Sequence, residues 1–206
     1  MLLSSNNKNI AVFVLTALLL GLPATILVLQ DQTAERNLLI VLRSLGRISF
    51  LVFLLIAVSR PLRELVRSPF TKTLLRNRRY VGIVLAASMT VHLGFIVWRF
   101  AFVRGENLEL TAYLTGGLFY SMLYLMLITS FNRPAAALGP IRWRALHKTG
   151  FWTLAIFFAF TFRNDVLKVV EEPLYFSLAL LAVVAVAIRA MTFVKRRKPR
   201  VAGTTA

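Results

Sequence analysis

Two histidines, His92 and His147, are the side chains best placed to do chemistry in this 206-residue chain, which has no cysteine. His92 lies inside an apolar run from Tyr80 to Trp98, bounded by Arg78 and Arg79 on one side and Arg99 on the other. The run is long enough to cross a bilayer as a helix rising about 1.5 Å per residue. An ionisable group is costly to hold at membrane depth, so this imidazole is a candidate functional residue. The bland alternative is an intramembrane histidine bonded to a neighbouring helix. His147 stands beside Lys148 at the start of another apolar run, where the bland reading is an interfacial basic residue. Arg43 and Arg47 share a helix face, four residues apart. From Arg47 to Arg60 is about 20 Å of helix, short of the roughly 30 Å hydrocarbon thickness. Arg47 therefore starts from inside the outer leaflet. It either snorkels to the headgroups or faces the bundle, paired with an anion.

Other chemistries fit less well. Without cysteine there are no disulfides, thiolate metal sites or iron–sulfur clusters. Two distant imidazoles with no intramembrane carboxylate make a poor zinc site. The eight acids fall in expected loops or at span ends, which disfavours a proton-coupled transporter. No HExxH, GxSxG, P-loop or GxGxxG pattern occurs in a usable context.

The frame around these residues is helical and apolar. The chain is 58% hydrophobic with a mean hydropathy of +0.71, too apolar for a soluble domain of this length. Six spans can be drawn, at residues 10–29, 38–59, 80–102, 112–131, 149–162 and 174–194, the first with a kink expected at Pro23. The short fifth span either sits inside the bundle or is extended by Arg144, His147 and Lys148. The net charge of +17 is concentrated in alternate connections. Arg60, Arg63, Arg67, Lys72, Arg76, Arg78 and Arg79 crowd the second, against Glu64 alone. Arg133, Arg142, Arg144 and Lys148 fill the fourth, and Lys195 to Arg200 the tail. Acids mark the other connections: Asp31, Glu35, Glu106, Glu109, Asp165, Glu171 and Glu172. The expected fold is thus an all-α polytopic membrane bundle with both termini cytoplasmic. Residues 1–194 form the domain and 195–206 a basic disordered tail. Topology explains the basic runs through lipid headgroups, with no call for nucleic acid. Tyr80, Trp98, Tyr113, Trp143 and Tyr175 are expected to anchor at interfaces. The spans leave no room for a flavin, nucleotide or hydrolase domain, so any such chemistry belongs to a partner.

Two segments together resemble a known family. One is Arg78-Arg79-Tyr80-Val81-Gly82 followed by His92-Leu93. The other is Thr129-Ser130-Phe131-Asn132 leading to Leu138-Gly139 and then Trp143-Arg144-Ala145-Leu146-His147-Lys148. Both are similar to the ferric reductase-like transmembrane domain. The nearest branch is the bacterial haem-binding membrane subunit of the periplasmic methionine sulfoxide reductase system. The likeness covers about residues 35–194. It implies b-type haem held by His92 and His147; an Arg47 that faces the bundle would then be a candidate partner for a propionate. It also implies a bacterial inner-membrane location, electrons from quinol or a flavin partner, and an acceptor outside.

The chain departs from that pattern in two places. The family's second histidine on span five corresponds to Phe160 here, and the further histidine of dual-haem relatives on span three corresponds to Arg78. Counted along the helices, His92 and His147 are expected on the order of 15–20 Å apart in depth, too far for one upright haem to take both comfortably. Met122 is a weaker axial-ligand candidate. The alternative is a haem-free relative that serves as an accessory or scaffold in a membrane complex.

Overall fold

A computed structural model describes residues 34–104, 109–167 and 173–197. Among these residues the fold is all-helical. In chain order the helices are α1 (Ala34–Leu65), α2 (Pro69–Arg76), α3 (Arg78–Trp98), α4 (Leu110–Ile128), α5 (Asn132–Leu138), α6 (Pro140–Leu167) and α7 (Pro173–Arg197), with a π-helical turn (Arg99–Arg104) continuing α3. Three stretches are long and apolar enough to cross a membrane: Asn37–Leu65, Arg78–Val103 and Leu110–Ile128. The expected first span, and the kink at Pro23, lie outside the described residues.

Helix bounds differ from the sequence expectation where polar side chains support extra turns. α1 runs past Pro61 to Leu65, although proline removes a backbone donor. Beyond it, Arg63 Nη1 donates to the Ser68 carbonyl at 3.1 Å, and Thr71 Oγ1 donates to the Val66 carbonyl at 2.7 Å. These bonds fold the basic connection into a turn. Ser68 then caps α2, accepting from the Thr71 amide at 3.2 Å. α6 is one 28-residue helix that takes in Trp143, Arg144, His147 and Lys148, so the helix expected from residue 149 begins nine residues earlier, at Pro140. α7 continues through Arg197, three residues into the stretch expected as a disordered tail.

The five long helices close a ring in the order α1, α3, α4, α6, α7 and back to α1. Its centre is aromatic. Phe50 and Phe53 of α1, Leu85, Ala86 and Met89 of α3, Phe119 and Leu123 of α4, and Leu154 and Phe158 of α6 form one buried cluster, with Ala182 of α7 against it. Phe119 meets Phe157 at 4.2 Å between ring centroids, and Phe158 meets Phe53 at 5.2 Å and Phe50 at 5.6 Å. Such tilted and edge contacts add to the dispersion that holds helices together where lipid removes the hydrophobic drive. The outside is apolar too: Leu114 is 65% exposed, Ile156 67% and Val186 68%. In water these would be a liability; against lipid chains they are the expected surface.

Candidate functional site

α1 and α3 pack antiparallel in a register set by small residues. Ser49 and Ser88 share a hydrogen bond, Oγ to Oγ, of 2.7 Å. One turn away, Gly46 faces His92, whose Cε1 lies 3.8 Å from where a Cβ on Gly46 would stand. At the far end, the Glu35 carboxylate accepts from Arg99 Nη2 at 3.0 Å, with the Arg99 side chain only 13% exposed. The arginine expected to close the outer end of this span thus lies within a continuing helix and holds two helices together.

His92 is aimed at α1, not at the ring centre. Its imidazole lies against Gly46 and the Leu42 backbone, and Nδ1 is buried with no hydrogen-bond partner among the described residues. Arg47 is half-buried on α1, one residue past Gly46 and therefore about 100° round the helix from the side that meets His92.

His147 is engaged at the other end. Its Nε2 is 3.1 Å from Thr129 Oγ1, and its ring stacks on Trp143 at 4.2 Å between centroids. Trp143 Nε1 donates to the Thr129 carbonyl at 2.9 Å. Thr129 Oγ1 in turn donates to the Leu125 carbonyl at 2.7 Å, so in the bond with His147 it accepts from an Nε2–H. Trp143, expected only to anchor at an interface, instead ties α6 to the end of α4. Burial, and then the nearby Arg78 charge, hold His147 below the usual imidazole range. It is therefore neutral at pH 7.

The two segments behind the family resemblance meet in space, since Arg79 Nη1 donates to Asn132 Oδ1 at 2.9 Å. This contact and the Thr129–His147 pairing span long sequence separations that no local pattern displays. The Trp143–His147 stack joins residues four apart, a spacing that could have been read from the sequence.

A bis-histidine haem needs both imidazoles beside one iron, and the residues present do not fit that arrangement. Arg78 is in electrostatic range of His147, while His92 is fourteen residues further along α3, about 21 Å of helix rise. The phenylalanine cluster fills the ring between those levels. Phe160, at the family's ligand position, is 60% exposed, whereas Phe158 points inward. Met122 packs against the cluster as filler. Among the described residues, no three of His, Cys, Asp and Glu group to hold a metal ion. No protein-family model, curated protein or solved structure matches this chain.

Proposed function

We propose that the chain is a six-span bundle of the bacterial inner membrane, with both termini cytoplasmic, that works without haem as an accessory or scaffold subunit of a larger membrane complex. One observation carries this reading. The space in which a porphyrin would stand between α3 and α6 is packed with Phe50, Phe53, Phe119, Phe157 and Phe158. Both histidines have structural work: His92 seats on Gly46, and His147 closes the α4–α6 corner. The lipid-facing apolar rings of α4, α6 and α7 offer the surface a partner would cover. On this reading His92→Ala leaves complex assembly intact.

A second reading keeps the function implied by the ferric reductase-like resemblance. In it the chain is a b-type haem subunit passing electrons from quinol or a flavin partner to an acceptor outside. The Nδ1 of His92, buried and without a hydrogen-bond partner among the described residues, favours it, because a buried ring nitrogen so placed can serve as a ligand. His92 would then be the protein ligand, and haem would supply one-electron redox chemistry. Reduced-minus-oxidised spectra of the chain purified from haem-replete cells separate the two. A flat difference spectrum agrees with the haem-free subunit. A b-type Soret shift abolished by His92→Ala establishes the haem subunit in its place.

A further inference from the structure

At the basic end of the ring, arginines from three helices converge. The α1–α3 register leads there. Ser49 pairs with Ser88; eleven residues on from Ser49, three full turns along the same face, is Arg60, and ten residues back from Ser88 is Arg78. The two arginines therefore stand at the same level on antiparallel helices. Arg78 lies in electrostatic range of Arg60, of Arg189 on α7 and of His147 on α6. Arg189 is fixed in place: its guanidinium lies 4.3 Å over the Phe151 ring and 5.4 Å from Trp152. Phe151 stacks on Phe53 of α1 at 5.1 Å, which forms an apolar floor beneath the charges.

Among the described residues, carboxylates are scarce around this group. Glu64 pairs with its helix neighbour Arg60, at 3.8 Å, with that arginine side chain 66% exposed. Among the described residues none is paired with Arg78 or Arg189. His147, the other titratable group facing Arg78, is engaged with Thr129. Arg78 and Arg189, both half-buried, repel unless an anion lies between them, with the exposed Arg60 at the rim, and guanidiniums match the oxygens of a phosphate in planar, bidentate fashion.

We propose that Arg60, Arg78 and Arg189 form a phosphate-binding site at this end of the bundle, over the Phe53–Phe151 floor. The phosphate of an anionic phospholipid fits the place best. The floor is apolar, and the lipid-facing surface of α7 beside it carries Val183, Val184 and Val186, where acyl chains can lie.

The test is thermal unfolding of the full chain, purified in a neutral detergent free of phosphate. Phosphatidylglycerol is added in one arm, phosphatidylcholine in a second and inorganic phosphate in a third. Wild type should gain several degrees of Tm with phosphatidylglycerol and little with phosphatidylcholine. Arg78→Gln and Arg189→Gln should each lose most of that gain, while Arg67→Gln, in the exposed connection before α2, should keep it. With no phosphate present, Arg78→Gln should melt no lower than wild type, because it relieves repulsion; a merely structural arginine would melt lower when removed. An equal gain from inorganic phosphate, lost in the same two variants, supports the site and assigns it a soluble source. A phosphatidylglycerol gain undiminished in both variants, or a drop in Tm for Arg78→Gln without phosphate, overturns the proposal.

Discussion

The two imidazoles of this chain occupy opposite kinds of surroundings. His147 sits at a corner where three segments meet, with an aromatic ring on one face and a hydroxyl on Nε2. His92 sits between two straight helices, on a glycine, with Nδ1 unpaired among the described residues. One histidine bonds a hydroxyl across a loop; the other lies against the Leu42 backbone and Gly46 of the neighbouring helix. Between them lies the phenylalanine cluster. A titratable residue in an apolar span can thus be a packing element, and the one at the span mouth can be the better bonded of the two.

The contrast can be strained most at the cluster itself. Phe119 is 1% exposed and touches three other rings. Phe119→Ala should cost about 3–5 kcal/mol, read as a large drop in unfolding midpoint in detergent. Phe160→Ala, on the 60%-exposed outer side of α6, should stay within about 0.5 kcal/mol of wild type.

Glycine substitutions sharpen the difference between the two histidine regions. A Cβ at Gly150, one turn beyond Leu146 on α6, would stand 2.6 Å from Met126 Sδ and 3.0 Å from its Cγ. Gly150→Ala should therefore push Met126 aside and destabilise by about 1–3 kcal/mol. Gly46→Ala meets only His92 Cε1, at an ordinary 3.8 Å, and should be close to neutral. Comparing the two melting curves in the same detergent checks both.

Thr129→Val removes the hydroxyl that bonds His147 and the Leu125 carbonyl while keeping the shape. It should cost about 1 kcal/mol. The equivalent change beside His92, Ser88→Ala, leaves Ser49 Oγ without its partner and should have an effect of similar size.

The smallest effect is a dependence on pH. His147 is held below its ordinary value near 6.5 in the folded chain, by burial first and Arg78 second. The unfolded chain takes up the proton at the ordinary value, so it binds more protons than the folded form in the window just below 6.5. Stability should be level above that window and fall as pH drops through it. Melting curves collected between pH 7.5 and 5 should show this decline, and His147→Gln should reduce it.

Much of the fold was legible in the sequence. Apolar runs long enough to span a bilayer mark α1, α3 and α4; α6 and α7 are helices over the last two apolar runs, of which Leu180–Thr192 is a shorter apolar helix. Less legible were features that depend on distant partners. The span drawn to residue 59 runs on past Pro61 to Leu65, and the chain then turns on the bond from Arg63 to the Ser68 carbonyl. The basic connection reads as open loop because the cap of α2 uses Ser68 with Thr71, not an acidic third residue. His92 was singled out by its cost in lipid, but that cost does not reveal which helix the ring faces; its contact with Gly46 on α1 depends on the register in which the two helices pack. Helix counting anticipated a wide depth interval between the histidines, because rise per residue is a local property. The phenylalanine plug between them is assembled from three helices and has no signature within any one of them.

The separation of the two histidine levels is open to direct measurement, since the chain has no native cysteine to compete with introduced labels. Spin labels at Gly94→Cys and Lys148→Cys, both exposed and close to His92 and His147, report it by pulsed dipolar spectroscopy. The expected distribution is centred beyond about 20 Å, from the helix rise between the two levels. A distribution centred at a separation short enough for a single porphyrin to stand between the two imidazoles would contradict it.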